Sequence, residues 1–214
     1  MLAGGSLRGR PTWIPTVAAS SFIYFLAALA LLHILRPDYT VVDHMISDYA
    51  VGSQGWIMTT AFLSASLGCL ALAVGLFRAG PASWGGRIGA GLLVVASIGL
   101  IVTALFPTDL ETAPSTRSGD IHAISFLVNI FSILLSTICL GLSYRGSPLW
   151  RPHRTAALVF AGLMLAAFVA QALTLHRGAP YGITNRLFVV VLMAWLISNS
   201  FWLRAVMAEP AKLA

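Results

Sequence analysis

The chain is short of charge. Of its 214 residues only 13 are Lys or Arg and 7 are Asp or Glu, too few to cover a soluble globular domain with polar surface. Cysteine is nearly absent as well. Cys69 and Cys139 both fall inside apolar runs, which argues against a disulfide framework and makes them small packing residues. There are no short segments of alternating polarity, so a transmembrane barrel is not expected. No low-complexity linker interrupts the chain, and the halves 1–106 and 107–214 share no repeat, so residues 1–214 read as a single domain. No nucleic-acid motif accompanies the net charge of +6.

What is present is apolar. Hydrophobic residues make up 58% of the sequence and the mean hydropathy is +0.86. Six continuous runs stand out, at Trp13–Leu35, Trp56–Arg78, Arg87–Phe106, Ile121–Tyr144, Thr155–His176 and Arg186–Ala205. Each is about long enough to cross a hydrocarbon core of roughly 30 Å as a helix. The expected fold is therefore all-α, a polytopic bundle of six transmembrane helices. Arg8 and Arg10 precede the first run as in a signal peptide, but its apolar stretch is too long for a signal h-region and we read it as a retained helix.

An even number of crossings puts both termini on one side. Arg8, Arg10, Arg78, Arg87, Arg145, Arg151, Arg154, Arg204 and Lys212 lie on that side, against Arg36, Arg117, Arg177 and Arg186 opposite. The excess predicts cytoplasmic termini and a multi-pass protein of the inner (plasma) membrane, in contact with the lipid bilayer. Of the acidic residues, Glu209 alone falls on the cytoplasmic side. The connections there, "RAGPASWGGR" and "YRGSPLWRPHR", read as simple turns with lipid-facing tryptophan anchors.

The outer connections are long and polar, at 36–55, 107–120 and 177–185. The stretch "VVDHMISDYAVGSQGW" places Asp43, His44, Ser47 and Asp48 together. His33, His122 and His176 fall at the same membrane level, with Asp109, Asp120 and Arg186 nearby, so a shallow outer pocket is expected if the bundle closes. The alternative is that these groups simply face water. Along the fourth run His122, Ser125, Asn129, Ser132 and Ser136 share one face within roughly 80°. Such a stripe faces the bundle interior, as helix-packing hydrogen bonds or as a cavity lining, and Ser64 with Gly68 reads the same way. Arg186 opens the last run, where it either snorkels to the surface or pairs with Asp48, Asp109 or Asp120.

Three stretches carry a family resemblance: "ISDYAVGSQGW" at 46–56, "LFPTDLETAPSTRSGDIHAISF" at 105–126 and "YGITNRLFVVVLMAW" at 181–195. In these the chain resembles the prokaryotic membrane family called domain of unknown function 998. It departs from that family's pattern at Ala50, where glycine often follows Ser-Asp. The resemblance implies six helices and the motif residues Ser47, Asp48, His122 and Arg186, with no established reaction.

Several functions fit this outer cluster. It is a candidate for binding a lipid or similar amphiphile, with Ser47, Asp48 and His122 as candidate catalytic residues and Arg186 and Asp120 as candidate substrate-binding residues. In a metal-dependent hydrolase, His44, Asp48 and His122 supply zinc ligands of the right chemistry, Asp120 orients His122, and Arg186 holds a phosphate or carboxylate. The chain lacks the late His-x-x-x-His pair of ceramidase-type membrane hydrolases. A third candidate is haem b held between His33 and His122 or His176. A non-catalytic accessory subunit or assembly factor, docked to other membrane protein subunits, fits the abundant Trp, Phe and small residues equally well.

Overall fold

The computed structural model describes residues 11–176 and 178–209. Arg8, Arg10, Arg177 and Lys212, four of the cations used to orient the chain, lie outside the described residues. Six helices form: α1 (Trp13–Leu35), α2 (Gly55–Ala79), α3 (Trp84–Leu105), α4 (Arg117–Ser143), α5 (Arg154–Thr174) and α6 (Tyr181–Ala208). All six are long and apolar enough to cross a membrane, and no strand occurs among the described residues. Each helix packs on its neighbours in sequence, α6 closes the ring against α1, and α2 also reaches α6 across the interior. Ile14, Gly75 and Leu203 meet at one end, which places the start of α1, the end of α2 and the end of α6 together. We call this the turn end, and the opposite end, which carries 36–54, 106–116, 175–176 and 178–180, the loop end.

Helices α3, α4 and α6 begin earlier than hydropathy suggests, α3 at Trp84 rather than Arg87. The first turn of α4, Arg117–Asp120, is polar, yet Thr116 caps it by accepting a hydrogen bond from the Gly119 amide at 3.2 Å. Helix α6 starts at Tyr181, directly after Pro180. Arg186 is therefore in the second turn of α6 rather than at its opening.

The stripe on α4 packs against α3. Ser125 and Thr103 hydroxyls lie 2.8 Å apart, Asn129 Nδ2 donates to Thr103 Oγ1 at 3.0 Å, and Ser136 donates to the Gly89 carbonyl at 2.8 Å. The facing positions on α3 are small. A Cβ built on Gly99 falls 2.0 Å from Asn129 Oδ1, and one on Gly85 falls 2.5 Å from Ser143 Oγ. In lipid, where apolar burial between helices gains little, this close approach with interhelical hydrogen bonds is what holds a seam. Ser64 and Gly68 behave in the same way toward α1, Ser64 donating to the Ser21 carbonyl and Gly68 receiving the Phe22 ring.

Trp13, Trp56 and Trp84 project outward at the bundle ends, 64–78% exposed, as interfacial anchors do. Trp150, expected as another anchor, is 1% exposed instead. Its indole N–H donates to the Ala79 carbonyl at 2.9 Å and its ring stacks on Tyr144. A carbonyl in the last turn of α2 has no partner within the helix, and the indole satisfies it. The connection between α4 and α5 is thus a plug under the bundle rather than a simple turn.

Candidate functional site at the loop end

The α1–α2 connection is folded onto the first two turns of α6. Helical spacing places Gly182 and Arg186 one above the other on α6. The Gly182 amide donates to the Val42 carbonyl at 2.8 Å. A Cβ at this position lies 2.6–2.7 Å from the carbonyl oxygens of Val41, Val42 and His44, so only glycine lets the loop backbone rest there. Arg186 then grips the same backbone. Its Nη1 donates to His44 O at 2.6 Å, Gly182 O at 2.9 Å and Val41 O at 3.2 Å, while Nε donates to His33 Nε2 at 2.9 Å. Between the two, the Asn185 side chain accepts from the Ile46 amide at 3.0 Å. Asn185 carried no sequence signal, although its place between Gly182 and Arg186 is the natural one for a third contact.

Arg186 is consequently a clamp on carbonyls and an imidazole. Its side chain reaches none of the aspartates expected as partners; among the described residues an ion pair at this end joins Arg36 to Asp38 at 2.8 Å. Arg36 also donates to Val51 O at 2.8 Å and covers the Tyr39 ring, and Tyr39 in turn stacks on His44. Hydrogen bonding to Arg36 holds the exposed Asp38 carboxyl below the usual range. The left-handed residue of the loop is Gly52, with φ of 91°, and no non-glycine residue among those described has positive φ. Ala50 therefore fits without strain.

The α3–α4 connection folds back on α4. Pro107 stops α3, and the Phe106 carbonyl left over accepts a hydrogen bond from His122 Nδ1 at 2.8 Å. A carbonyl only accepts, so Nδ1 carries the proton and Nε2 is the basic nitrogen. Asp109 ties down the loop through the Thr116 amide and hydroxyl, at 2.6 and 2.9 Å. Asp120, expected to orient His122, is exposed and accepts from Ser115 at 3.1 Å. The Phe106 carbonyl does the orienting.

Between these loops lies a cavity of about 480 Å³, walled by Ser47, Asp48, Asp109, Glu111, His122 and Tyr181 among others. Ser47, His122 and Phe126 also line a second cavity of about 70 Å³ deeper in the bundle, whose remaining walls are mainly Phe, Leu, Ile and Met side chains. A polar mouth thus adjoins an apolar slot. Asp48 is 8% exposed. Its carboxylate accepts one hydrogen bond among the described residues, from the Met45 amide to Oδ2 at 2.9 Å, and no cation pairs with it there. Burial pushes its pKa up to about 6, opposed by the Met45 amide and by the nearby His44 and Arg186. Glu111 accepts from the Tyr181 hydroxyl at 2.6 Å.

Of the residues singled out by sequence, the structure brings Ser47, Asp48 and His122 to one cavity. It leaves Asp120 outside and uses Arg186 as a strut. The zinc set does not assemble: among the described residues no three His, Cys, Asp or Glu side chains are grouped to hold a metal ion. His44 is stacked on Tyr39, and its buried Nδ1 has no hydrogen-bond partner. The haem pairing fails at His33, whose Nδ1 lies 2.7 Å from the Leu29 carbonyl while Nε2 accepts from Arg186. No imidazole nitrogen of His33 remains for iron.

Gly182→Ala tests the loop seat. The added methyl meets three carbonyl oxygens, so the loop must lift, at a cost of about 1–3 kcal/mol as in other overpacked sites. Faster protease cleavage between residues 36 and 54 in the variant is the expected readout. Unchanged cleavage refutes the contact.

The family model described as "Protein of unknown function (DUF998)" matches residues 18–201. No curated protein matches the chain, and no solved structure does.

Proposed function

The chain belongs to the DUF998 family, and we propose that it is a binding protein for membrane amphiphiles with a positively charged head, taken up at the loop end. The observation that carries this reading is Asp48, a buried carboxylate on the wall of a 480 Å³ cavity with one backbone hydrogen bond and no paired cation among the described residues. Holding such a charge out of water is costly unless a partner arrives. An ammonium head supplies that partner, and the adjoining apolar slot accepts the first methylenes of its tail. Arg186 is spent on the loop backbone, so a phosphate or carboxylate head has no Lys or Arg to receive it among the described lining residues. With both termini cytoplasmic, as the excess of Lys and Arg suggests, the cavity draws on the outer leaflet.

The test uses protein in neutral detergent with dodecyltrimethylammonium, dodecylphosphocholine or dodecyl sulfate added below micellar concentration at pH 7.5. The cationic amphiphile is expected to bind most tightly, and more weakly as pH falls through about 6, where Asp48 takes up a proton. Asp48→Asn is expected to abolish the preference. Equal binding of all three, or a preference that survives in Asp48→Asn, overturns the reading. Turnover of an ester-bearing cationic amphiphile that is lost in Ser47→Ala replaces it with a catalytic one, in which His122 Nε2 acts as base.

A further inference from the structure

The turn end holds a second polar cavity, far from the first. Arg145, Arg151 and Arg154 line a space of about 550 Å³, completed by Gly146 and Thr155. The local sequence explains the convergence. One 3-10 turn at Tyr144–Gly146 ends α4, another at Arg151–His153 leads into α5, and Trp150 between them is pinned to α2. The chain therefore doubles back on itself and brings three cations, from the two turns and the start of α5, to one place. Among the described residues no side chain or carbonyl accepts a hydrogen bond from any of the three guanidinium groups. Arg154 Nε is shut from solvent and has no acceptor. Three like charges around one cavity repel, and a buried donor without an acceptor is a further cost. The repulsion is relieved by a single bound oxyanion. The first turn of α5, a helix of 21 residues opening at Arg154, adds the positive end of its dipole.

The neighbouring space says what carries that anion. Arg145 and Gly146 also border a cavity of about 420 Å³ whose other walls include Gly85 and the outward-facing Leu142, between the ends of α3 and α4. We propose that the arginine cavity is a phosphate site at the membrane surface, and that the adjoining groove fits it to the phosphodiester of an anionic lipid, whose acyl chain runs beside Leu142. Basic pockets between helix ends are where anionic headgroups bind, and guanidinium groups match phosphate geometry.

The experiment measures binding to the full chain in neutral detergent, with dioleoylphosphatidylglycerol, dioleoylphosphatidylcholine or inorganic phosphate added separately. Arg151→Gln and Arg154→Gln are compared with Arg87→Gln, which removes the same charge from the same end without touching the cavity. Phosphatidylglycerol is expected to bind best and to bind about tenfold more weakly in each cavity variant, as loss of one charge-assisted hydrogen bond implies, with Arg87→Gln unchanged. Binding of inorganic phosphate with the same variant dependence, and no added gain from the lipid, keeps the phosphate site and overturns the lipid as carrier. Equal binding of the two lipids without phosphate binding, or an equal loss in Arg87→Gln, overturns the site. If Arg154→Gln fails to fold, Arg151→Gln gives the same reading from an exposed position.

Discussion

Replacing Arg186 with Met is expected to lower stability by about 3 kcal/mol and to free the α1–α2 connection. The methionine keeps the apolar stem but removes the donors that reach His44 O, Gly182 O and Val41 O, and it leaves His33 Nε2 without its partner. A hydrogen bond to a charged group contributes about 1.5–3 kcal/mol net, and water admitted at the loop end compensates in part, so the effect is well below the sum of the four. Arg186→Lys is expected to recover less than half, because a single ammonium cannot replace a planar fork that spans an imidazole and a row of carbonyls. Unfolding in graded mixtures of sodium dodecyl sulfate and neutral detergent gives the stability, and protease cleavage between residues 36 and 54 gives the loop. A loss under about 1 kcal/mol with unchanged cleavage shows that Asn185 and Gly182 hold the loop without the arginine.

The second large effect has the opposite sign. Asp48→Asn is expected to stabilise the protein at pH 7.5 while it removes the preference for cationic amphiphiles. The amide oxygen still accepts from the Met45 amide, so the capping contact survives. What disappears is a buried charge. Burial holds the carboxyl at about 6 against about 3.9 for an exposed aspartate, so keeping it ionised in the folded state costs up to about 3 kcal/mol above both values. The folded protein binds this proton more tightly than the unfolded chain does. Wild-type stability from this group is therefore complete below about pH 4, falls as pH rises to about 6 and is level above that. The difference between variant and wild type is expected to grow over the same window. Unfolding of both proteins at pH 4.5, 5.5, 6.5 and 7.5 measures it. A difference that does not change with pH, or a variant less stable at pH 7.5, shows that Asp48 is not a strained carboxylate. A residue kept at a cost to stability is what a binding site requires.

Much of the candidate site's composition was legible before the fold, for reasons tied to particular residues. Ser47, Asp48 and His122 are polar groups placed where a membrane protein has few, and polarity against an apolar background is visible in one dimension. Roles were less legible than positions. Arg186 was read as either snorkelling to the surface or pairing with a carboxylate, yet the loop backbone lies closer and presents its carbonyl oxygens around Gly182. His122 was given Asp120 as its orienter, yet the two are two residues apart, and on a helix that spacing points side chains to different faces. Trp150 was assigned to lipid because tryptophan favours interfaces, and the helix end it caps is 71 residues away in sequence.

By itself, then, the sequence determined the class of the molecule: six helices set by runs of apolar residues long enough to cross a bilayer, joined by polar loops, with a stripe on α4 that had to face inward. Those features follow from hydrophobicity and helical period, which are local properties of the chain. The tertiary structure alone decided that the α1–α2 loop lies on Gly182, that Asp48 loses its water beside a cavity, and that three arginines from two turns and the start of α5 surround one space. These depend on which surfaces meet when the ring closes, and meeting is a property of distant segments that no window of sequence contains.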